Sequence, residues 1–285
     1  MPAPGQLVWI TGAHGLLGNY LVQTAPRCAP DWQVRGLTRA NVDLLDFAAV
    51  EREFKKDRPA LIIHCAAITV VAEAQKNPEL AWRVNCEVTR FLAGLADQFV
   101  FFSTDLVFDG QKGNYGETDP VNPLTRYGET KAAAEQIVRQ NPRHLVVRTS
   151  LNGGTSLAGN RSFNEQLRAT LQAAGQGMTL FTDEFRCPIP ALETARAVWE
   201  LAQKNCAGLY HVAGAEKLSR WQIGQLLLPR WPEVKTKIQA GSAKSFAGPP
   251  RALDTSLDIT KSQKALSTPL PGLSDWLAAN RGVGW

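Results

Sequence analysis

The chain has 285 residues, 44% of them hydrophobic, enough to bury a full core in one or two closely packed lobes. Its 31 basic and 26 acidic side chains are interspersed and leave a net charge of only +5, with no Lys/Arg tract, so nucleic acid is not an expected partner.

Short apolar runs alternate with amphipathic stretches from the start. "QLVWIT" reads as a buried strand and "GLLGNYLVQTA" as the helix after it. "QVRGLT" is the next strand, "FAAVEREFKK" a helix, and "ALIIHCAA" a third strand. "ELAWRVNCEVTRFLAGLA" has helical periodicity, "FVFFSTD" is a strand, "TRYGETKAAAEQ" opens a helix, and "RHLVVRTS" is a strand. Strands separated by helices predict an α/β fold, a Rossmann-type doubly wound parallel sheet wrapped on both faces. After about residue 150 the alternation loosens, and Gly, Ser and Asn crowd "SLNGGTSLAGNRS". Helices are predicted over "FNEQLRATLQAA", "ALETARAVWELAQK", "SRWQIGQLLL" and "GLSDWLAAN", and a strand over "AGLYHVAG". Residues 1–150 are therefore expected to form a dinucleotide-binding domain, to which 181–213 returns. Residues 151–180 and 214–285 are expected to form a smaller C-terminal substrate-binding lobe.

No run is long and apolar enough to span a bilayer, and "MPAPGQLVWITG" lacks the basic start and apolar stretch of a signal peptide. The five cysteines (Cys28, Cys65, Cys86, Cys187, Cys206) are scattered without metal-type spacing. They read as buried reduced thiols, which makes a cytoplasmic protein the expectation. Cys187, before Pro188, reads as packing.

"WITGAHGLLGNYL" places Gly12, Gly15 and Gly18 between a strand and a helix. Early glycines permit a tight turn and close backbone approach, and the last lets the helix pack near the sheet. The helix N-terminus then offers N–H groups and a positive dipole end to a pyrophosphate. An NAD-preferring site carries an acid about 20 residues further on. Here the second strand ends in Thr38 and Arg39, so Arg39 is expected to meet a 2′-phosphate and NADPH to be preferred over NADH. Asp43 is placed to meet the adenine edge.

Thr104 ends a buried strand, and ligands of parallel sheets sit at the carboxyl ends of strands. Tyr127 and Lys131, four apart, share one helix face. A hydroxyl, a phenol and an ammonium thus converge where a carbonyl can accept hydride. Lowering a phenol from about 10 to about 7 takes roughly 4 kcal/mol. An ammonium about 4 Å away supplies about that at an effective dielectric of about 20, and only about 1 kcal/mol in bulk water. The pair therefore calls for a partly dry cleft.

Taken together, "TGAHGLLG", "HCAAIT", "VNC", "STDLVFDG" and "YGETK" resemble an extended short-chain dehydrogenase/reductase, and more narrowly the dTDP-4-dehydrorhamnose reductases and their relatives. The similarity runs nearly the whole length, through "DEFRCPIPALETA", "GLYHVAG" and "RALDTSLD". It implies Tyr127 as proton donor, Lys131 as ligand of the nicotinamide ribose and support for Tyr127, and Thr104 as hydrogen-bond partner of the substrate carbonyl. Cofactor contacts are implied at Gly12, Gly15, Leu16, Leu17, Gly18, Asp43, Leu44, Ala66, Ala67 and Asn85. Asp105, Asn152 and Arg251 are expected on the substrate side. The implied activity is reduction of a ketone, a 4-keto nucleotide sugar, by NADPH, with no metal. Relatives of this kind often form homodimers, although no feature of this sequence marks an interface.

Departures from that pattern fall in the sugar pocket. "RTSLNGG" stands where the reductases read Arg-Thr-Ser-Trp-Val, so Leu151 replaces a tryptophan and Asn152 a valine. Leu106 replaces a tyrosine, Ala252 a proline and Asp254 an asparagine. Losing an aromatic platform changes what the site can stack on, which leaves a different carbonyl substrate open. Related dehydratases carry Asp-Glu after the threonine. Here Asp105 is followed by Leu106, so dehydration is not expected. The regulatory beta subunit of methionine adenosyltransferase resembles the same family, and a non-catalytic NADP-binding subunit is the alternative. The intact Thr104, Tyr127 and Lys131 favour catalysis.

Overall fold

Six strands align in parallel to form the central sheet. In the computed structural model, which describes residues 5–174, 177–245 and 251–281, these are β1 (Leu7–Thr11), β2 (Gln33–Leu37), β3 (Leu61–His64), β4 (Gln98–Thr104), β5 (Leu145–Thr149) and, from the second half, Gly208–Val212. Residues 1–4, 175–176, 246–250 and 282–285, which fall within the expected cofactor and substrate lobes, lie outside the described residues. The order across the sheet is Gly208–Val212, β5, β4, β3, β1, β2. The chain winds one way from β1 to β2 and the other way from β3 onward, leaving a crevice at the carboxyl ends of β1 and β3. This is the doubly wound Rossmann-type sheet.

The strands are apolar on both sides because both faces are covered. Val8, Ile10, Ile63, Val100, Phe102 and Val147 pack on one face with Leu21 and Trp199. Trp9, Ile62, Phe99, Phe101 and Val146 pack on the other with Leu92 and Val138. Neighbours along a strand thus serve opposite cores, as the two-residue period requires.

The second half contributes to both lobes. Helix Ala191–Gln203 lies against helix Leu16–Cys28 and seats the fully buried Trp199, whose indole N–H donates to the Leu21 carbonyl (3.2 Å) and Thr24 Oγ1 (3.1 Å). The remaining segments gather around a separate core of Leu167, Leu171, Leu180, Ile223, Leu227, Trp231 and Trp276. Three short strand pairs frame it: Asn152–Gly153 with Ile189–Pro190, Phe185–Arg186 with Leu218–Ser219, and Met178–Phe181 with Ile238–Gly241. The strands of the first two pairs are two residues long and carry no periodicity, which is why the sequence pattern does not reveal them. The stretch expected as one helix over 79–96 is continuous but has a π-helical turn at Arg83–Glu87, around Asn85.

Trp199→Ala removes a buried indole that joins the returning helix to the sheet, so it should cost about 3–5 kcal/mol. Urea unfolding measures this. A loss below about 1 kcal/mol would mean that the helix is not held by this side chain.

Candidate active site

The turn after β1 is so close-packed that only glycine fits. Gly12 has φ of +66°, and a Cβ there would lie 2.7 Å from the Ala66 nitrogen. A Cβ on Gly18 would collide with the Gly12 carbonyl oxygen. Gly15 is the N-cap of helix Leu16–Cys28 and supplies no side-chain cap, so the first-turn N–H groups are left for a ligand. Thr11 Oγ1 accepts the N–H groups of Cys65 (3.2 Å) and Ala66 (3.3 Å) and bonds His64 Nδ1 (2.7 Å), fixing the loop after β3 beside the turn.

A cavity of about 940 Å³ starts at this turn, passes Thr38 and Arg39, and ends among side chains of the second lobe. Of the expected residues, Gly12, Gly15, Leu16, Leu17, Gly18, Arg39, Asp43, Leu44, Ala66, Ala67, Thr104, Tyr127, Lys131, Asn152 and Arg251 line it. Asn85 and Asp105 stand behind the wall. Asn85 Oδ1 accepts the Ile68 N–H (2.9 Å), and its Nδ2 donates to the Ile68 carbonyl (3.1 Å) and Thr130 Oγ1 (2.9 Å). It thereby ties the loop after β3 to the Tyr127 helix. Asp105 is buried, accepting from Thr104 Oγ1 (3.2 Å), Ser150 Oγ (2.7 Å) and Thr255 Oγ1 (3.1 Å). Asn152 reaches the cavity with its amide already bonded to Thr149, the Ser150 carbonyl and Thr194.

Thr125 caps the helix Arg126–Val138 by accepting the Gly128 N–H (3.1 Å). A Cβ on Gly128 would run into the Leu106 carbonyl oxygen, so this glycine lets the helix settle onto the turn after β4. That contact brings Tyr127 within hydrogen-bond reach of Thr104, with Lys131 one turn further along the same cavity wall. Tyr127 is 8% exposed and Lys131 3%, so the cleft is dry at this point. The ammonium sits 3.9 Å over the Phe101 ring centroid, a favourable seat for a buried cation. Burial pushes Lys131 down to about 7, opposed in part by the Glu135 carboxylate one turn on. Burial pushes the Tyr127 phenol up, opposed by its hydrogen bond with Thr104 and aided by the Asp105 charge. Lys131 is not among the groups that shift the phenol, so the expected drawing of it toward 7 does not occur. The dryness that strengthens attraction also penalises both charged forms. At neutral pH the phenol keeps its proton, the state that a proton donor needs.

Several cavity residues had no sequence signal. His14 lies within the glycine motif but is not one of its glycines. Arg161, Phe163, Phe181 and Arg220 come from segments of the second lobe that no motif marked. The departure at Asp254 has a local explanation, since its carboxylate pairs with Lys217 and accepts from Ser256 Oγ (2.6 Å). Leu151 packs against the core of the second lobe. Among the described residues no helix is long and apolar enough to cross a membrane, and no His/Cys/Asp/Glu group is arranged to hold a metal.

Residues 6–279 match the family model described as the RmlD substrate binding domain. The chain is 32% identical to the probable low-salt glycan biosynthesis reductase Agl14 of Haloferax volcanii, over 95% of this chain and 96% of that protein. It is 30% identical to the dTDP-4-dehydrorhamnose reductase of Mycobacterium tuberculosis, over 92% and 88%. Its fold matches that of the dTDP-4-dehydrorhamnose reductase of Bacillus anthracis in complex with NADP, with a TM-score of 0.85 at 24% identity, over 96% and 98% of the two chains.

The pH dependence of stability should register the buried lysine. The folded protein releases the Lys131 proton near 7, whereas the unfolded chain holds its own to about 10.4. Between those values the unfolded state binds more protons, so this group makes the fold more stable as pH rises. Lys131→Met should raise the melting temperature of the cofactor-free protein at pH of about 6–7, by about 4–8 °C for about 2 kcal/mol relieved. It should also flatten the rise toward alkaline pH. A lower melting temperature with an unchanged slope would contradict the assignment.

Proposed function

The chain belongs to the family of the RmlD substrate binding domain, and on that premise we propose that it is an NADPH-dependent reductase acting on the ketone of a nucleotide-linked 4-keto sugar. The observation that carries this reading is the meeting of Thr104, Tyr127 and Lys131 on one wall of a cavity that joins a glycine turn to an arginine-bearing lobe. The relatives from Haloferax volcanii and Mycobacterium tuberculosis, both named as reductases, support the same class of reaction. Arg39, with Thr38 at the end of β2, supports NADPH over NADH, because a guanidinium suits a 2′-phosphate.

The glycine turn and the uncapped helix N-terminus fit a dinucleotide pyrophosphate, with Ala66 and Ala67 along its path. Bound NADPH would supply the hydride. Tyr127 donates a proton to the carbonyl oxygen as negative charge develops there, and Thr104 offers that oxygen a second hydrogen bond by turning its one O–H away from Asp105. Lys131 acts once the phenol gives up its proton, since the phenolate it faces is formed in a dry cleft where an ammonium is worth most. It would also hold the ribose of a bound cofactor. Asn85 and Asp105 act through other groups, holding the loop after β3 and the Thr104 hydroxyl in place. Leu151, packed on the core of the second lobe, and Asn152, bonded to Thr149 and Thr194, give the sugar no aromatic platform from this segment.

Tyr127→Phe keeps the ring's packing and removes the acid, so turnover of a 4-keto nucleotide sugar should fall by about 10²–10⁴-fold with NADPH affinity preserved. Thr104→Val should cost less. Reduction at the wild-type rate by the phenylalanine variant would remove Tyr127 as the donor. Arg39→Ala should weaken NADPH by about 10-fold or more and leave NADH nearly unchanged, corresponding to the loss of one charge-assisted contact. Equal losses for the two cofactors would assign Arg39 no part in their discrimination.

A further inference from the structure

The second lobe buries a carboxylate that the reaction does not use. Glu184 is 0% exposed, just before the strand Phe185–Arg186. Its Oε1 accepts from Arg220 Nε at 2.9 Å and faces Arg186 Nη2 at 3.3 Å, and its Oε2 accepts from Arg251 Nε at 2.6 Å. Burial alone would push this carboxyl up, but the three guanidiniums outweigh it and hold the group down at about 2.

The three arginines differ in where they lead. Arg186 is turned inward, donating to the Phe185 and Ala252 carbonyls and facing Asp105 at 3.7 Å. Arg220 and Arg251 line the cavity, with side chains 20% and 36% exposed. Each also lies over an aromatic ring of the cavity wall: Arg220 5.1 Å from the Phe163 centroid and Arg251 5.2 Å from that of Phe181. A carboxylate oxygen at Nε and a ring at the face fix each guanidinium plane. The charges do not cancel. Three arginines against Glu184 and Asp105 leave one positive charge, and Arg161 on the same cavity raises it to two. A diphosphate diester carries two negative charges.

We propose that Glu184 is a positioning residue that sets Arg220 and Arg251 as a two-guanidinium clamp for the diphosphate of a nucleoside-diphosphate-linked substrate. The inference rests on the reading of the cavity as a nucleotide-sugar site. The clamp recognises the part of the substrate remote from the ketone, so it governs affinity and alignment rather than the proton transfer. Removing the Glu184 charge would make the lobe more positive. Charge alone therefore predicts tighter anion binding in Glu184→Gln, whereas positioning predicts weaker binding.

Calorimetric titration with thymidine diphosphate separates these, because it needs no turnover. Glu184→Gln should weaken thymidine diphosphate by about 10-fold, corresponding to about 1.4 kcal/mol, while NADPH affinity stays within about two-fold of wild type. Glu184→Asp keeps the charge but draws the carboxylate back from both arginines, and it should weaken the nucleotide as well. Arg251→Lys, on the more exposed side, should do the same by losing the planar fork. With a nucleotide-linked ketone, Glu184→Gln should raise KM by a similar factor and change kcat by less than about three-fold. Unchanged or tighter thymidine diphosphate binding in Glu184→Gln overturns the proposal. If that variant does not fold, wild-type affinity in both Glu184→Asp and Arg251→Lys does so. If the nucleotide binds as expected and no ketone is reduced, the clamp stands and the reductase reading falls. If ketones are reduced and nucleotide affinity is the same in every variant, the clamp falls alone.

Discussion

Placing an ammonium in a dry cleft beside a phenol is the constraint around which the rest of this molecule is arranged. Lys131 is 3% exposed, and the carboxylate one helical turn further, Glu135, is committed to Arg148 through bonds of 2.8 and 2.7 Å. The lysine is thus left with the Phe101 ring and the cavity. Desolvation of this kind costs several kcal/mol per ion when unpaired, and folds tolerate it where chemistry requires it. A group kept near neutrality gains most from the charge that appears on its neighbour during reaction.

The surroundings hold the pair rigidly enough for that cost to be useful. Gly128 lets the helix touch the Leu106 carbonyl, which sets Tyr127 beside Thr104. Asn85, in the π-helical turn, binds both the Ile68 backbone and Thr130, bracing the same helix against the loop that borders the glycine turn. Beneath the helix, the Glu135–Arg148 pair is buried on both sides, with Arg148 3.4 Å from His211 Nε2 and stacked 4.9 Å from the Phe108 centroid. Such a pair contributes little net stability, but breaking it would leave an uncompensated charge, so it fixes where the helix sits on β5. The second lobe repeats the device: Glu184, wholly buried, orients guanidiniums.

How much of this the sequence reveals depends on how local the cause is. The glycine turn is legible because Gly12, Gly15 and Gly18 act within a few residues of one another and sit between a strand and a helix. Tyr127 and Lys131 are legible through a spacing that places both on one face, and the sheet is legible through its alternating runs. The bracing role of Asn85 is not, because its partners Ile68 and Thr130 are far away in sequence. Asp105 reads as a substrate ligand next to Thr104, yet the side chains that occupy it, Ser150 and Thr255, arrive from distant segments. Arg220 carries no motif, and Glu184 lies in the family-like stretch "DEFRCPIPALETA" without a role that its neighbours in sequence reveal; their meaning exists only once three distant segments converge. The energetic balance at Tyr127 also escapes spacing, since it depends on how deeply both groups are buried.

The most direct test of the account is NADPH oxidation measured against a panel of 4-keto nucleotide sugars and simple ketones. The arrangement of one dry proton-donating centre between a dinucleotide turn and an arginine-bearing lobe predicts oxidation with at least one nucleotide-linked keto sugar. Its kcat/KM should exceed that of unphosphorylated ketones by about 10²-fold or more, the return on remote binding energy. NADPH that binds tightly but is oxidised with no ketone would contradict it and point to a cofactor-binding subunit without turnover.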